Sequence, residues 1–271
     1  MENINEIIRN RRSVRTYDGR EVSQEDLGKL TVFMESIENP YGIPVVFKLL
    51  DAKEKGLSSP VINGVNLYVG AKVPRGPHAE EALGYSFEML VLYAWSLGIG
   101  TVWIGGTFDR AAFERAMELE GDEMMPCASP LGYPAKKLSL KENMMRKAIK
   151  ADSRLPFEAL FFDGAFGVPL SEEKAGRLGE ALEMVRWAPS AVNKQPWRVV
   201  VKENCAHFYL KKNKGFVSDS VGNMQKIDMG IALCHFDLAA KRNGLKVSFD
   251  LDDPKLAMES DTEYIATYHV L

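Results

Sequence analysis

The sequence predicts an α+β chain made of two similar halves, roughly residues 1–160 and 161–271. Two observations carry that expectation. An aromatic–Asp–Gly signal followed by helix, proline loop and β-branched run occurs first from Tyr17 and again from Phe162. Later in each half, SFEMLVLYAWSLGIGTVWI (from Ser86) and ALCHFDLAAKRNGLKVSF (from Ala232) each read as a helix, a glycine turn and a strand. Four elements recurring in one order point to a repeat.

The elements follow in chain order. INEIIRNRR reads as an amphipathic opening helix. In the first half Ser23, Glu25 and Asp26 form an N-cap signal with acids in the first turn, matched in the second by Ser171, Glu172 and Glu173. Apolar residues then recur at helical spacing: Leu27, Leu30, Met34 and Ile37, and later Leu178, Ala181, Leu182 and Val185. Gly98 and Gly244 close the long helices that follow. LGIGTVWIGGTF reads as a strand ending at Gly105 and Gly106.

The halves differ in their loops and clusters. Between Pro40 and Pro44 stand only Tyr41, Gly42 and Ile43. Between Pro189 and Pro196 stand Ser190, Ala191, Val192, Asn193, Lys194 and Gln195. The basic cluster RRSVR and the Gly105–Gly106 pair occur in the first half alone.

Composition narrows the function. Of 271 residues, 34 are Lys or Arg and 37 Asp or Glu, a net charge of −3 that gives no reason to expect a nucleic-acid or membrane partner. Cys127, Cys205 and Cys234 form no CxxC pair, and His78, His207, His235 and His269 share no metal-ligand spacing. No apolar run approaches membrane-spanning length, and the N-terminus lacks the apolar stretch of a secretory signal, so a reducing cytoplasm is the expected setting. Cys127 and Cys234 read as core residues, Glu80, Glu81 and Glu88 as a helix face, and Trp103 as core or as a wall near a ligand.

Arg11, Arg12 and Arg15 around Ser13 would suit a phosphate monoester, since guanidinium forks and a hydroxyl match a compact dianion. Read alone, they suit a solvated helix end better, cations offsetting the C-terminal dipole. Glycines at 105 and 106 would let backbone N–H groups approach a flat ligand, but GIGTVWIGG is not a dinucleotide fingerprint.

RRSVRTYDG, APSAVNKQPW, VWIGG and GYPAKK together resemble the FMN-dependent nitroreductase family over nearly the whole chain. The fused halves are similar to a subgroup in which one chain imitates the family's dimer, with mainly antiparallel sheets flanked by helices. The resemblance implies that Arg11, Arg12 and Ser13 hold the FMN phosphate, with Arg154 of SRLP as a later basic contact. Arg15 would lie near the N1–C2 carbonyl edge of the flavin. Ile104, Gly105 and Gly106 would line the ring near N5, and Pro189, Ser190, Ala191 and Asn193 would approach from the other half. It implies one FMN per chain, the mirror site lost with the shortened loop, in a monomeric pseudo-dimer or a homo-oligomer with swapped halves. NADH or NADPH would be co-substrate, and a nitroaromatic, quinone or similar small molecule the electron acceptor. Two alternatives stay open: a flavin-storing protein with little turnover, and a regulatory module binding another phosphorylated ligand.

Overall fold

A computed structural model describes residues 3–219 and 221–271. Before the first sheet come α1 (Ile4–Asn10) and α2 (Gln24–Glu35). Ser23 caps α2 as its sequence predicts, its Oγ accepting the Asp26 N–H at 3.1 Å. The first sheet comprises β1 (Val46–Asp51), β2 (Leu67–Pro74), β3 (Glu123–Met124) and β4 (Ala128–Leu131). The central β2 pairs antiparallel with the other three. Between these strands run α3 (Ala52–Lys55), α4 (Ala79–Ser96) and α5 (Arg110–Ala116).

Then come α6 (Leu140–Ala148) and α7 (Phe157–Leu160), leading into β5 (Phe161–Asp163) of a second sheet. The chain continues through α8 (Gly179–Trp187), β6 (Trp197–Lys202) and β7 (Cys205–Lys211). A small hairpin of β8 (Val217–Ser218) and β9 (Gly222–Asn223) precedes α9 (Met224–Arg242), β10 (Val247–Asp250) and β11 (Thr262–Val270). The second sheet runs β10-β11-β7-β6-β5, antiparallel except for the β5–β6 pair. The fold is thus α+β with helices flanking two mainly antiparallel sheets, one built from residues 46–131 and the other from 161–270.

Two expected boundaries shift. Ser171 caps a turn, its Oγ taking the Lys174 N–H at 3.2 Å, and Gly176 at φ 53° diverts the chain before α8 begins at Gly179. The VWIGG segment forms no continuous strand. Residues 99–104 instead make single bridges, Thr101 to Ser13, Gly100 to Gly132 and Ile104 to Ala128. The segment lies so close to its neighbours that a Cβ on Gly100 would press into the Val14 side chain, and the backbone bends after each short pairing.

The centre of the molecule is the crossing of α4 and α9. Each is buried along most of its length, with Phe87, Leu90, Phe236 and Leu233 in one continuous core. Burial of each such side chain contributes about 1.5–3 kcal/mol. Two glycines allow the approach. A Cβ on Gly84 would strike the Ile227 carbonyl, and a Cβ on Gly230 would strike the Glu81 carbonyl. Gly84 and Gly230 stand at the offset that separates Ser86 from Ala232, and so do Glu81 and Ile227. The two contacts are one contact made twice, as at a self-complementary two-fold interface.

Candidate functional site

Apart from exposed Arg12, the basic cluster is not a solvated helix end. At Arg11 the chain leaves α1 in an extended conformation (φ −61°, ψ 133°), and Arg11 itself is only 8% exposed. The following residues are fixed from two sides. The Val14 N–H donates to the Thr101 carbonyl and the Asn63 N–H to the Arg15 carbonyl. Glu142 of α6 accepts the Arg15 N–H at 3.3 Å and the Thr16 hydroxyl at 2.8 Å.

Behind Arg11 lies a buried polar group that the sequence reading missed. Glu88, expected on a helix face, is fully buried, its Oε1 3.7 Å from Arg11 Nε and 3.0 Å from His235 Nε2. Its Oε2 accepts the Trp103 indole N–H at 3.0 Å. His235 Nδ1 stands 2.9 Å from the Met184 carbonyl, which can only accept, so that nitrogen carries a proton. A residue of α9 thereby holds a carboxylate of α4 against both Arg11 and Trp103.

A small cavity of about 80 Å³ opens beside this group, bordered by Arg11, Arg12, Ser13, Asn193, Arg154 and one arginine not anticipated, Arg146 of α6. The guanidinium groups disturb one another. Burial, then repulsion from Arg11, pushes Arg154 down to about 10; burial lowers Arg11 first and Arg146 adds to it. Asp152 pairs with Arg146, yet Arg11 Nε and Arg154 Nε stay buried without a hydrogen-bond partner among the described residues. Such a cluster is set for an anion. The segment 138–152, which contains α6, delivers Arg146 to the same place as Arg154.

The small cavity shares the wall formed by Ser13, Ile149, Pro189 and Ser190 with a larger one of about 470 Å³. Arg15, Ile104, Gly105, Gly106 and Ala191 line the larger space, with Trp103 on the same wall. Arg15 is pulled below its ordinary range by burial, and its Nη1 has no partner among the described residues. Much of the remaining wall is apolar, including Val61, Phe216 and Ile231. Arg110 clamps the glycine pair from outside, donating to the Gly105 carbonyl at 2.6 Å and to the Met125 and Pro126 carbonyls at 2.6 and 3.2 Å. Because the peptide is trans, the Gly106 N–H points away from that clamp. A Cβ on Gly106 would stand in open space, whereas one on Gly105 would press on Met224.

The Pro189–Pro196 loop engages its polar side chains with its own backbone and with that of residues 150–155. Ser190 Oγ accepts the Gln195 N–H at 2.8 Å, and Gln195 Oε1 accepts the Leu155 N–H at 2.9 Å. Asn193 Nδ2 donates to the Lys150 and Ser153 carbonyls at 2.8 and 3.1 Å. Ser190 and Asn193 thus border the cavities while their side chains brace the loop. Val192, Asn193 and Gln195 all adopt positive φ, at 44°, 58° and 49°. For β-branched Val192 this is a strained conformation that the bracing must hold.

Asp228 is the other residue that sequence reasoning did not single out. Lying in the first half of α9, it lines the larger cavity and accepts the Ala191 N–H on Oδ1 at 2.9 Å. Nothing local in IDMGIA marks it.

The mirror position is filled. Counted by the offset between Ser86 and Ala232, Met224 corresponds to His78 and Trp103 to Phe249. Tyr41 of the short loop stacks on His78 at 5.3 Å and meets Phe249 edge-on at 4.9 Å. A hollow of about 600 Å³ lies nearby under residues 39–47, but its wall carries Glu35 and Glu38 and no Lys or Arg, so it does not suit an anion. Cys127 and Cys234 are buried, with thiols pushed up by burial, as core residues are. Among the described residues no group of His, Cys, Asp and Glu could hold a metal ion, and no helix is long and apolar enough to cross a membrane.

Residues 3–240 match the family model described as "Putative TM nitroreductase". The chain belongs to this family. As a member it is grouped with oxidoreductases of the nitroreductase type. A chain described as a putative nitroreductase from Thermotoga maritima superposes with a TM-score of 0.63 at 19% identity, over 99% of this chain and 93% of that one. An oxidoreductase containing FMN superposes with a TM-score of 0.50 at 15% identity, covering 60% of this chain and 92% of its own. An FMN-dependent nitroreductase from Clostridium difficile aligns at 19% identity over 52% of this chain and 94% of its own, with a TM-score of 0.42. The likeness to the Thermotoga maritima chain shows the nitroreductase fold. No curated protein sequence matches the chain.

Proposed function

We propose that this family member is a cytoplasmic FMN-dependent oxidoreductase, reduced by NADH or NADPH and reoxidised by a small acceptor such as a quinone or nitroaromatic. It would comprise two nitroreductase-like halves divided near residue 160, with one FMN per chain and no nucleic-acid or membrane partner. One observation carries the reading: a four-arginine anion cavity shares a wall with a mainly apolar cavity that holds one further, half-buried arginine. An elongated molecule with a phosphate at one end and a flat ring system at the other fits that pair of spaces. The buried Arg154 Nε and Arg15 Nη1, without hydrogen-bond partners among the described residues, fit it further.

In this reading Arg11, Arg12, Ser13, Arg146 and Arg154 bind the phosphate, charge-assisted contacts being the strong ones. Glu88 and His235 orient Arg11 from behind. Arg15 places a cation in a water-poor cavity, where it favours any negative charge that develops. The Arg110 clamp aims the Gly106 N–H, and the braced loop excludes water from the side of Pro189 and Ala191. When bound, FMN accepts a hydride and passes on two electrons, so the protein itself needs no nucleophile.

The test is an absorption spectrum of the purified protein followed by anaerobic titration with each nicotinamide. Flavin bands that bleach with NADH or NADPH and return with a quinone are expected. Bands that neither nicotinamide bleaches would leave a flavin-storing protein, and no bands even after FMN addition would overturn the reading.

A further inference from the structure

We propose that Asp228 is the proton donor of the larger cavity, passing the proton on Oδ2 to an oxygen of the electron acceptor, with quinone carbonyls as the class it fits. The proposal rests on the oxidoreductase reading above. Asp228 is 3% exposed. Its Oδ1 is occupied by the Ala191 N–H at 2.9 Å, whereas Oδ2 is buried without a hydrogen-bond partner among the described residues. Beside it, α9 gives the cavity wall Met224, Ile227 and Ile231, and the loop gives Pro189, Ser190, Ala191 and Val192, apolar but for the Ser190 hydroxyl.

A buried carboxyl in such surroundings either finds a cation or keeps its proton. The charged and titratable groups on the surrounding elements include Arg15 across the cavity, Glu80, Glu81, Tyr85 and Glu88 on α4, Lys226, Cys234, His235, Asp237, Lys241 and Arg242 on α9, Lys194 on the loop and Asp219 on the hairpin. Lys226 pairs with Glu81 and Glu263, and His235 with Glu88. No ion pair to Asp228 is formed among the described residues. Burial accordingly pushes its carboxyl up to about 8, offset in part by the Ala191 N–H. With Oδ1 accepting, the proton resides on Oδ2, the oxygen left unpartnered in the wall.

The step balances. A quinone reduced by two electrons takes one hydride, supplied by reduced flavin, and one proton. The Asp228 Oδ2–H bond breaks, an O–H bond forms on the quinone oxygen, hydroquinone leaves, and the carboxylate regains its proton from solvent. A positioned acid whose pKa lies near working pH contributes typically ~10²–10⁴-fold.

The experiment compares Asp228→Asn with the parent, both loaded with FMN and reduced anaerobically, then mixed with benzoquinone or with ferricyanide. Ferricyanide takes one electron and no proton, so it reports electron transfer alone. The ratio of quinone rate to ferricyanide rate should fall at least ~10²-fold in Asp228→Asn. The parent quinone rate should fall as pH rises through the Asp228 titration, and the variant profile should be flat there. Infrared spectra of the flavin-free protein should show the carbonyl band of a protonated buried acid in the parent and not in Asp228→Asn. Equal rate ratios and equal pH profiles overturn the proposal even if quinone turnover stands. Should Asp228→Asn not fold, the parent must still show the infrared band and a solvent deuterium effect on quinone but not ferricyanide reduction; absence of either overturns the proposal. A parent that reduces neither acceptor sinks the oxidoreductase reading instead, a failure recognisable because the infrared band does not depend on turnover.

Discussion

Arg15 and Asp228 face one cavity and respond to burial in opposite senses. Burial disfavours the Arg15 cation, which nonetheless stays charged, and it neutralises Asp228. If Arg15 favours charge developing on reduction, Arg15→Ala should bind FMN with a lower midpoint potential, measured by dye-linked reduction; an equal or higher potential would remove Arg15 from that role. Asp228 also makes a prediction about stability. Folded, it keeps its proton up to about 8, whereas an unfolded Asp releases it near ~4. Between those values the folded chain binds more protons, so this group's contribution to stability declines as pH rises across that window. Asp228→Asn removes the decline. Urea unfolding should therefore show the variant gaining on the parent by ~1 kcal/mol or more between pH 5 and pH 8, and no gain would mean that Asp228 is ionised. At this scale the sequence is legible where chemistry is contiguous. Arg11, Arg12, Ser13 and Arg15 stand together and stay together, whereas Arg146 and Asp228 acquire a role only when α6 and the loop fold against them. Glu88 was misread because an acid in a helix looks solvated until His235, far along the chain, is brought to it.

Among elements, the α4–α9 crossing is the least forgiving. Gly230→Ala places a Cβ against the Glu81 carbonyl, a backbone atom that cannot swing aside, so the helices must part. A cost of about 1–3 kcal/mol follows, and FMN should bind more weakly because Met224, Ile227 and Asp228 ride on α9. Thermal melts with and without FMN measure both, and a melt identical to the parent's would show that the crossing yields. The long helices were legible from the turns at Gly98 and Gly244 that close them, which take φ 77° and 76°. Gly84 and Gly230 were not, since a glycine inside a helix reads as a propensity cost until the partner backbone is known. The start of α8 was misplaced because Ser–Glu–Glu serves a capped turn as well as a capped helix, and Gly176 decided between them.

For the whole molecule, the two-part repeat was visible as pattern, but what fills its second cavity was not. The shortened loop announced a loss; that Tyr41, His78 and Phe249 would close over the vacated position needed three distant side chains in space. Flavin released by denaturation should accordingly approach one per chain, with solution mass separating a monomer from a swapped dimer; a ratio near two would restore the mirror site. If that aromatic plug excludes a second flavin, it also sets how the protein counts electrons. A symmetric pair of cavities sharing one interface can communicate, so that filling or reducing the first alters the second. If only one flavin binds per chain, a monomer has no second redox centre to consult. Its reductive titration should follow a single Nernst curve with one midpoint, without the broadening or half-site plateau of coupled centres, and at any protein concentration.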